Sequence, residues 1–264
     1  MPERGKIGSM LLCVDIGNTS IKLGLFEGEE LRSRWRIATD RTSLPDEYAV
    51  LIRSLFTAEG LSTQEITGCA ISSVVPSLTL VFEEVAQRYF HTESLILGPG
   101  VLTGLRINTE YPAEVGSDLV MNALAARHLY GTPVIVIGFG TATPFVAVSA
   151  QGDIEGVAIA PGVATSGDSL FRATSTLPQV ALTRPRVAIG KNTTQSLQAG
   201  FVFGFAGLVE KLVERIRLEL GSSARVVATG GLASLILPET NVIETVEPDL
   251  ALIGLRLLYD LNRK

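Results

Sequence analysis

The chain has 264 residues, 46% of them hydrophobic and 19% charged, so it can bury a large core and is too apolar to remain disordered. Its 22 basic and 27 acidic residues leave a formal charge of −5, which gives no support to a nucleic-acid or anionic-membrane partner. No uninterrupted apolar run reaches the roughly 18 to 20 residues of a spanning helix, and the apolar stretch near the start is too short for a signal sequence, so a cytoplasmic protein with no membrane association is expected.

In chain order, the first segment reads as three strands. The apolar run LLCVDIG turns at Gly17-Asn18-Thr19-Ser20, and IKLGLFEGEE and LRSRWRIAT follow with a hairpin at Glu27 to Glu30. A helix is expected from about Pro45 to Glu59, started by Leu44-Pro45-Asp46-Glu47. Cys69 to Val75 reads as a buried strand, Ser77 to Phe90 as an amphipathic helix and Ser94 to Leu97 as another strand. This β-β-β-α-β-α-β order implies a mixed sheet whose parallel strands are joined through helices.

A turn-rich loop and a helix from Ser117 to Tyr130 come next, and then the opening order starts again. Strands are expected at Pro133 to Ile137, Pro144 to Ser149 and Gly156 to Ala160, then helices near Ser166 to Ser175 and Thr194 to Leu220. The strand Arg225 to Thr229 leads into Gly230-Gly231, and Val242 to Val246 and a helix from Pro248 to Asn262 finish the chain. The repeat predicts two similar α/β domains facing each other, 11–115 and 116–264.

Cys13 and Cys69 lie in apolar β-type runs and read as buried strand residues. With His91 and His128 the only histidines, neither a zinc site nor a Ser/His/Asp hydrolase is supported. The chemistry points elsewhere. Asp15-Ile16-Gly17-Asn18-Thr19 ends a strand in a tight turn, where backbone N–H groups and small polar side chains can hold phosphate oxygens and Asp15 can orient a hydrated Mg²⁺; Lys22 follows. Gly138-Phe139-Gly140-Thr141-Ala142-Thr143 is its counterpart in the second half, and two such turns can clamp a phosphate chain. Gly230 and Gly231 form a third glycine turn, fit for close passage of a purine or ribose or for a plain strand-to-helix turn. Gly190-Lys191-Asn192-Thr193 is not a P-loop, because Pro185 stands where the earlier glycine belongs. Asp118, at a helix start, reads either as a dipole-stabilising residue or as a base for a substrate hydroxyl.

Together, DIGNTSIKLGLF at 15–26, ISSVVP at 71–76, PAEVGSD at 112–118, FGTAT at 139–143, AIAPG at 158–162, IGKNT at 189–193 and ATGGLA at 228–233 resemble the type III pantothenate kinases, the Bvg accessory factor-like family of the actin-like ATPase superfamily. The resemblance spans 11–262. It implies two ribonuclease H-like domains with mixed sheets flanked by helices, and transfer of the ATP γ-phosphoryl group to pantothenate at the first step of coenzyme A synthesis. ATP and Mg²⁺ would be held by Asp15, Ile16, Gly17, Asn18, Thr19, Ser20, Ile21 and Lys22 with Gly140, Thr141, Gly230 and Gly231. Pantothenate would meet Thr109, Tyr111, Gly116, Ser117, Asp118, Leu119 and Thr193, with Asp118 the general base. A homodimer is implied, and the stripe Val120, Leu124 and Leu129 is the sequence's candidate for its interface.

This chain departs from the family pattern at the site. Gly138 stands where an Asp would bind an activating K⁺ or NH₄⁺, Leu119 replaces an arginine for the pantothenate carboxylate, and Thr109 replaces a tyrosine, with Tyr111 nearby. Pro144-Phe145-Val146 replaces T-F-D, and Val157 a glycine. A non-catalytic nucleotide-binding homologue, or a kinase for another small hydroxylated substrate, are the competing readings.

Overall fold

The computed structural model describes residues 10–98, 100–221 and 223–263. The chain divides into two compact units: one comprises the residues up to Gly104, Ala113–Leu124 and those from Ala251 on, the other Leu105–Pro112 and Ala125–Leu250. The terminal helix and the start of the helix at Ser117 thus group with the first unit, whereas the sequence boundary at 115/116 assigns them to the second.

In the first unit, β1 (Met10–Ile16), β2 (Ser20–Glu27), β3 (Glu30–Ala38), β4 (Ile66–Ser73) and β5 (Ser94–Ile96) form a sheet of order β3-β2-β1-β4-β5. The β1–β2 and β2–β3 pairs are antiparallel, and β1–β4 and β4–β5 parallel. As the central strand, β1 is buried along its whole length, which is why MLLCVDI is almost uninterruptedly apolar. Leu12, Val14 and Ile16 share a core with Ile52 and Phe56 of α1 (Pro45–Ala58) and Leu78 and Phe82 of α2 (Pro76–Tyr89). Glu47 Oε2 accepts from the Leu44 N–H at 2.7 Å, so the predicted start signal of α1 works as a cap.

The alternate residues Leu11, Cys13 and Asp15 point to the opposite face. There Gly24, the register partner of Cys13, leaves room for Leu252 of the terminal helix α7 (Leu250–Asn262). Both cysteines are buried and free, with burial pushing Cys69 up to about 12. Helix α3 (Ser117–Tyr130) has the predicted bounds, and Gly254 of α7 lies directly against the Met121 backbone.

The second unit repeats the plan with β6 (Val134–Gly138), β7 (Ala142–Val148), β8 (Ile154–Pro161), β9 (Arg225–Thr229) and β10 (Thr245–Val246) in the order β10-β9-β6-β7-β8. Each strand has its counterpart, and every pairing keeps its direction. Ile135 and Ile137 pack with Val202, Val209 and Val213 of α5 (Thr193–Leu220), and α4 (Val163–Ala173) and the short α6 (Ala233–Ile236) complete the helices. By length and composition α5 could cross a membrane, the only described helix of which this is true. It is a core helix by its packing, since one face is buried while Glu210, Lys211, Glu214 and Arg217 occupy other positions along it. The last strand is much shorter than the predicted Val242 to Val246, because Val242 and Ile243 precede the pairing with β9.

Candidate active site

In the first unit, Asp15 is the last residue but one of β1. Its register partners are Lys22 on β2 and Ser72 on β4, so one row across the sheet carries Ser72, Asp15 and Lys22. Lys22 Nζ lies 3.6 Å from Asp15 Oδ2, and the Ser72 and Ser117 hydroxyls are 3.0 Å apart. That last contact places the start of α3, and with it Asp118, beside the row. The Asp118 carboxylate lies so close over Gly116 that a Cβ there would fall 2.6 Å from Oδ1, and Gly116 O accepts from the Leu119 and Val120 N–H groups to start the helix.

The electrostatics follow from this crowding. Burial raises the Asp118 carboxyl above the usual carboxylate range, against the pull of the Leu119 and Asp118 N–H groups and of the Lys22 charge. Asp15 is raised as well, first by burial and then by the Asp118 charge, with Lys22 opposing. Two repelling carboxylates with one lysine form a donor set that a hydrated Mg²⁺ would relieve, so the residues fit that ion. A half-buried carboxylate with a raised pKa at a helix start is also better suited than an exposed one to take a proton near neutral pH.

The turn after β1 is tight and braced by its neighbours. Gly17 N–H donates to Ser20 O at 3.1 Å, and any side chain at Gly17 would meet that oxygen at 2.9 Å. Three residues beyond the predicted set hold the turn. Thr39 donates from Oγ1 to Gly17 O at 2.7 Å and from its N–H to Thr19 O at 3.2 Å, Arg41 bonds Asn18 Oδ1 at 2.9 Å, and Arg36 bonds Ser20 Oγ at 2.9 Å. A threonine and an arginine just past the third strand were the signal available in sequence, visible only once β3 is known to flank the turn.

In the second unit, Gly138 ends β6, and the turn Phe139 to Thr141 is packed backbone to backbone. Phe139 N–H donates to Thr229 O at 2.8 Å, Gly162 N–H to Thr141 O at 3.1 Å, and Thr165 Oγ1 to Thr141 O at 2.7 Å. Gly230, at φ 99°, lies where a Cβ would fall 2.7 Å from the Phe139 carbonyl carbon, so Gly140, Thr141 and Gly230 belong to one cluster. Tyr111 is exposed, and Thr109 Oγ1 is buried without a hydrogen-bond partner. Thr193 is the first residue of α5. The preceding IGKN serves the helix: Asn192 Oδ1 accepts from Gln195 N–H at 2.9 Å, and Gln195 Oε1 from Lys191 N–H at 3.0 Å. A 380 Å³ cavity lined by Phe171, Leu182, Phe201 and Leu232 contains none of the predicted site residues.

Leu119 is buried, so the position of the family's arginine presents no donor for an acid. The proposed interface stripe changes too. Val120 and Leu124 are buried within the single chain, leaving Leu129 as its exposed member.

The type III pantothenate kinase family profile matches residues 11–215. Relatives named type III pantothenate kinase include one from Roseiflexus sp. (strain RS-1), 53% identical over 96% of this chain and 100% of its own, and one from Brevibacillus brevis, 49% identical over 96% and 100%. Among solved structures, a Baf family protein from Campylobacter jejuni aligns with a TM-score of 0.57 at 17% identity over 95% of this chain and 98% of its own. The activator of the 2-hydroxyisocaproyl-CoA dehydratase from Clostridium difficile, with bound ADPNP, aligns at 0.51 and 12% over 96% and 95%. The fold is that of the actin-like ATPases and sugar kinases, with two mixed sheets flanked by helices. With half its residues shared with full-length relatives and the family's pattern running through both units, the chain belongs to the type III pantothenate kinase family.

Proposed function

We propose that this protein phosphorylates pantothenate with ATP, and that Asp118 is the general base. The observation that carries the reading is the half-buried, raised carboxyl of Asp118 beside the Asp15–Lys22 pair and the tight glycine turn at Gly17, whose Asn18 and Thr19 are exposed. Asp118 takes the proton of the primary hydroxyl as its oxygen bonds to the γ-phosphorus; the bond from that phosphorus to the β–γ bridging oxygen breaks, and ADP leaves. The turn from Gly17 to Ser20 presents backbone and hydroxyl groups to phosphate oxygens, and Lys22 supplies positive charge next to it. Thr141 and Gly140, in the matching turn of the second unit, serve the nucleotide in the same way, and Gly230 and Gly231 keep backbone low for a purine or ribose. Asp15 would hold Mg²⁺ through water, and the ion would offset phosphate charge during transfer. Ser117 and Gly116 shape the acceptor side of Asp118; Thr109, Tyr111 and Thr193 complete the pantothenate contacts. A cytoplasmic homodimer belongs to the same reading, supported by the family rather than by the Val120–Leu124 stripe.

The test is direct. Purified protein with Mg-ATP and pantothenate should release ADP and 4′-phosphopantothenate in equal amounts, and Asp118→Asn should cut the rate by about 10²- to 10⁴-fold. ADP release only with a different hydroxylated compound, or with none, would overturn the assignment.

A further inference from the structure

The two sheets share one topology, so the same place in each can be compared residue by residue. In the first unit the row at the carboxyl end of the central strand reads Ser72, Asp15, Lys22, Arg36. In the second it reads Thr229, Gly138, Pro144, Ile159. Gly138 pairs with Thr229, Pro144 with Ile159, and Pro144 lies opposite Gly138 one step beyond the Ile137–Phe145 pair. The sequences agree with this match, because Asp15-Ile16-Gly17 and Gly138-Phe139-Gly140 each run from strand into turn. Three charged side chains in one row thus correspond to a glycine, a proline and an isoleucine in the other.

The second row is altered in its packing as well as in its charge. A Cβ on Gly138 would fall 3.3 Å from Pro144 Cγ, slightly tighter than an ordinary contact, and 3.5 Å from Cδ, so the proline ring lines the place from which a side chain at 138 would start. On the other side, Thr229 is 3% exposed and its Oγ1 has no hydrogen-bond partner among the described residues, whereas Ser72 at the matching place bonds Ser117. A buried hydroxyl left without a partner beside a missing side chain is what removal of an acceptor from this row would produce. Among the described residues, no group of three or more His, Cys, Asp or Glu could hold a metal ion.

Resting on the kinase reading, we propose that this enzyme works without a bound K⁺ or NH₄⁺, and that Gly138 and Pro144 are a coupled pair that removes the cation's place from the second unit. A monovalent cation sheds water only where anionic or several neutral oxygens replace it. The Gly138 row offers one hydroxyl and a hydrocarbon ring, so the residues do not fit the ion.

Two independent readouts test this. Pantothenate-dependent ADP release, measured at constant ionic strength in tetramethylammonium, potassium and ammonium chlorides, should agree within about twofold, and a stimulation of about tenfold or more by K⁺ or NH₄⁺ overturns the proposal. Thallium-205 NMR with Mg-ATP present should show no saturable Tl⁺ binding; saturable binding displaced by K⁺ overturns it without reference to turnover. A protein inactive in every salt would refute the kinase reading, and the Tl⁺ readout alone would then decide whether the second unit lacks a cation site. Gly138→Asp/Pro144→Thr should acquire K⁺-displaceable Tl⁺ binding, while Gly138→Asp alone should not, and equal binding by both variants would refute the coupling. Should the double variant misfold, the two wild-type readouts still decide.

Discussion

The placement of Asp118 depends on a glycine far from it in sequence, and Gly254→Ala tests that dependence. Gly254 of α7 faces the Met121 backbone one turn along α3 from Asp118, and a methyl there would fall 2.7 Å from the Met121 carbonyl carbon and 2.9 Å from its Cα. Carbon atoms in good contact stand about 3.5 to 4 Å apart, so α3 and α7 would have to separate by roughly 1 Å. Overpacking of this kind costs about 1 to 3 kcal/mol, and a displacement near 1 Å at a catalytic group costs about 10²-fold in rate. Gly254→Ala should therefore lower the midpoint of thermal unfolding by several degrees and reduce kcat by about 10²-fold, with a smaller change in the KM for ATP, because the turn at Gly17 is held by β3 rather than by α7. Circular dichroism melts and steady-state kinetics on the same preparation measure both. A variant with wild-type stability and wild-type kcat would refute the argument that close helix contact sets the position of Asp118.

Three other outcomes follow from the same geometry. Lys22→Gln removes a charge that lowers both carboxyls, so the acid limb of kcat/KM should move to higher pH, and a limb that stays in place would separate Lys22 from Asp118. Asp118 has a folded-state pKa above its unfolded value, so its favourable contribution to stability is present at acid pH and lost as pH rises through the folded pKa. Asp118→Asn should then raise the unfolding midpoint at pH 7, with the gain disappearing near about pH 3; an equal gain at both pH values would count against burial as the cause. Thr39→Val removes the 2.7 Å bond to Gly17 O, worth about 1 kcal/mol, and should raise the KM for ATP about fivefold with kcat nearly unchanged. An unchanged KM would show that the turn holds its shape without that bond.

The elements whose residues face one environment were legible in sequence. The run LLCVDIG reads as a strand and the sheet order makes it the central one, and α3 shows the predicted bounds, because the start at Gly116 and the stop at Gly131 are local signals. What escaped is what a strand's neighbours decide. Ser72 reads as one more residue of a buried strand until its register with Asp15 and its bond to Ser117 give it a place. Thr39, Arg36 and Arg41 look like the polar end of an edge strand, and only the β2–β3 pairing brings them to the Gly17 turn. The stripe of Val120 and Leu124 was ambiguous for a physical reason: an apolar helix face looks the same whether a second copy or the chain itself covers it.

The altered residues acquire meaning only as a set. By the family resemblance of the sequence, Gly138 stands where a carboxylate is expected and Pro144 where a hydroxyl is expected. Their adjacency across β6 and β7 makes the second consequential for the first, since a Cβ at 138 would sit 3.3 Å from the Pro144 ring. A side chain placed at 138 alone meets that ring, and a change at 144 alone adds no charge. The first row shows the contrast: Asp15 pairs with Lys22, Ser72 bonds Ser117, and Asp118 lies half-buried beside them with its carboxyl raised.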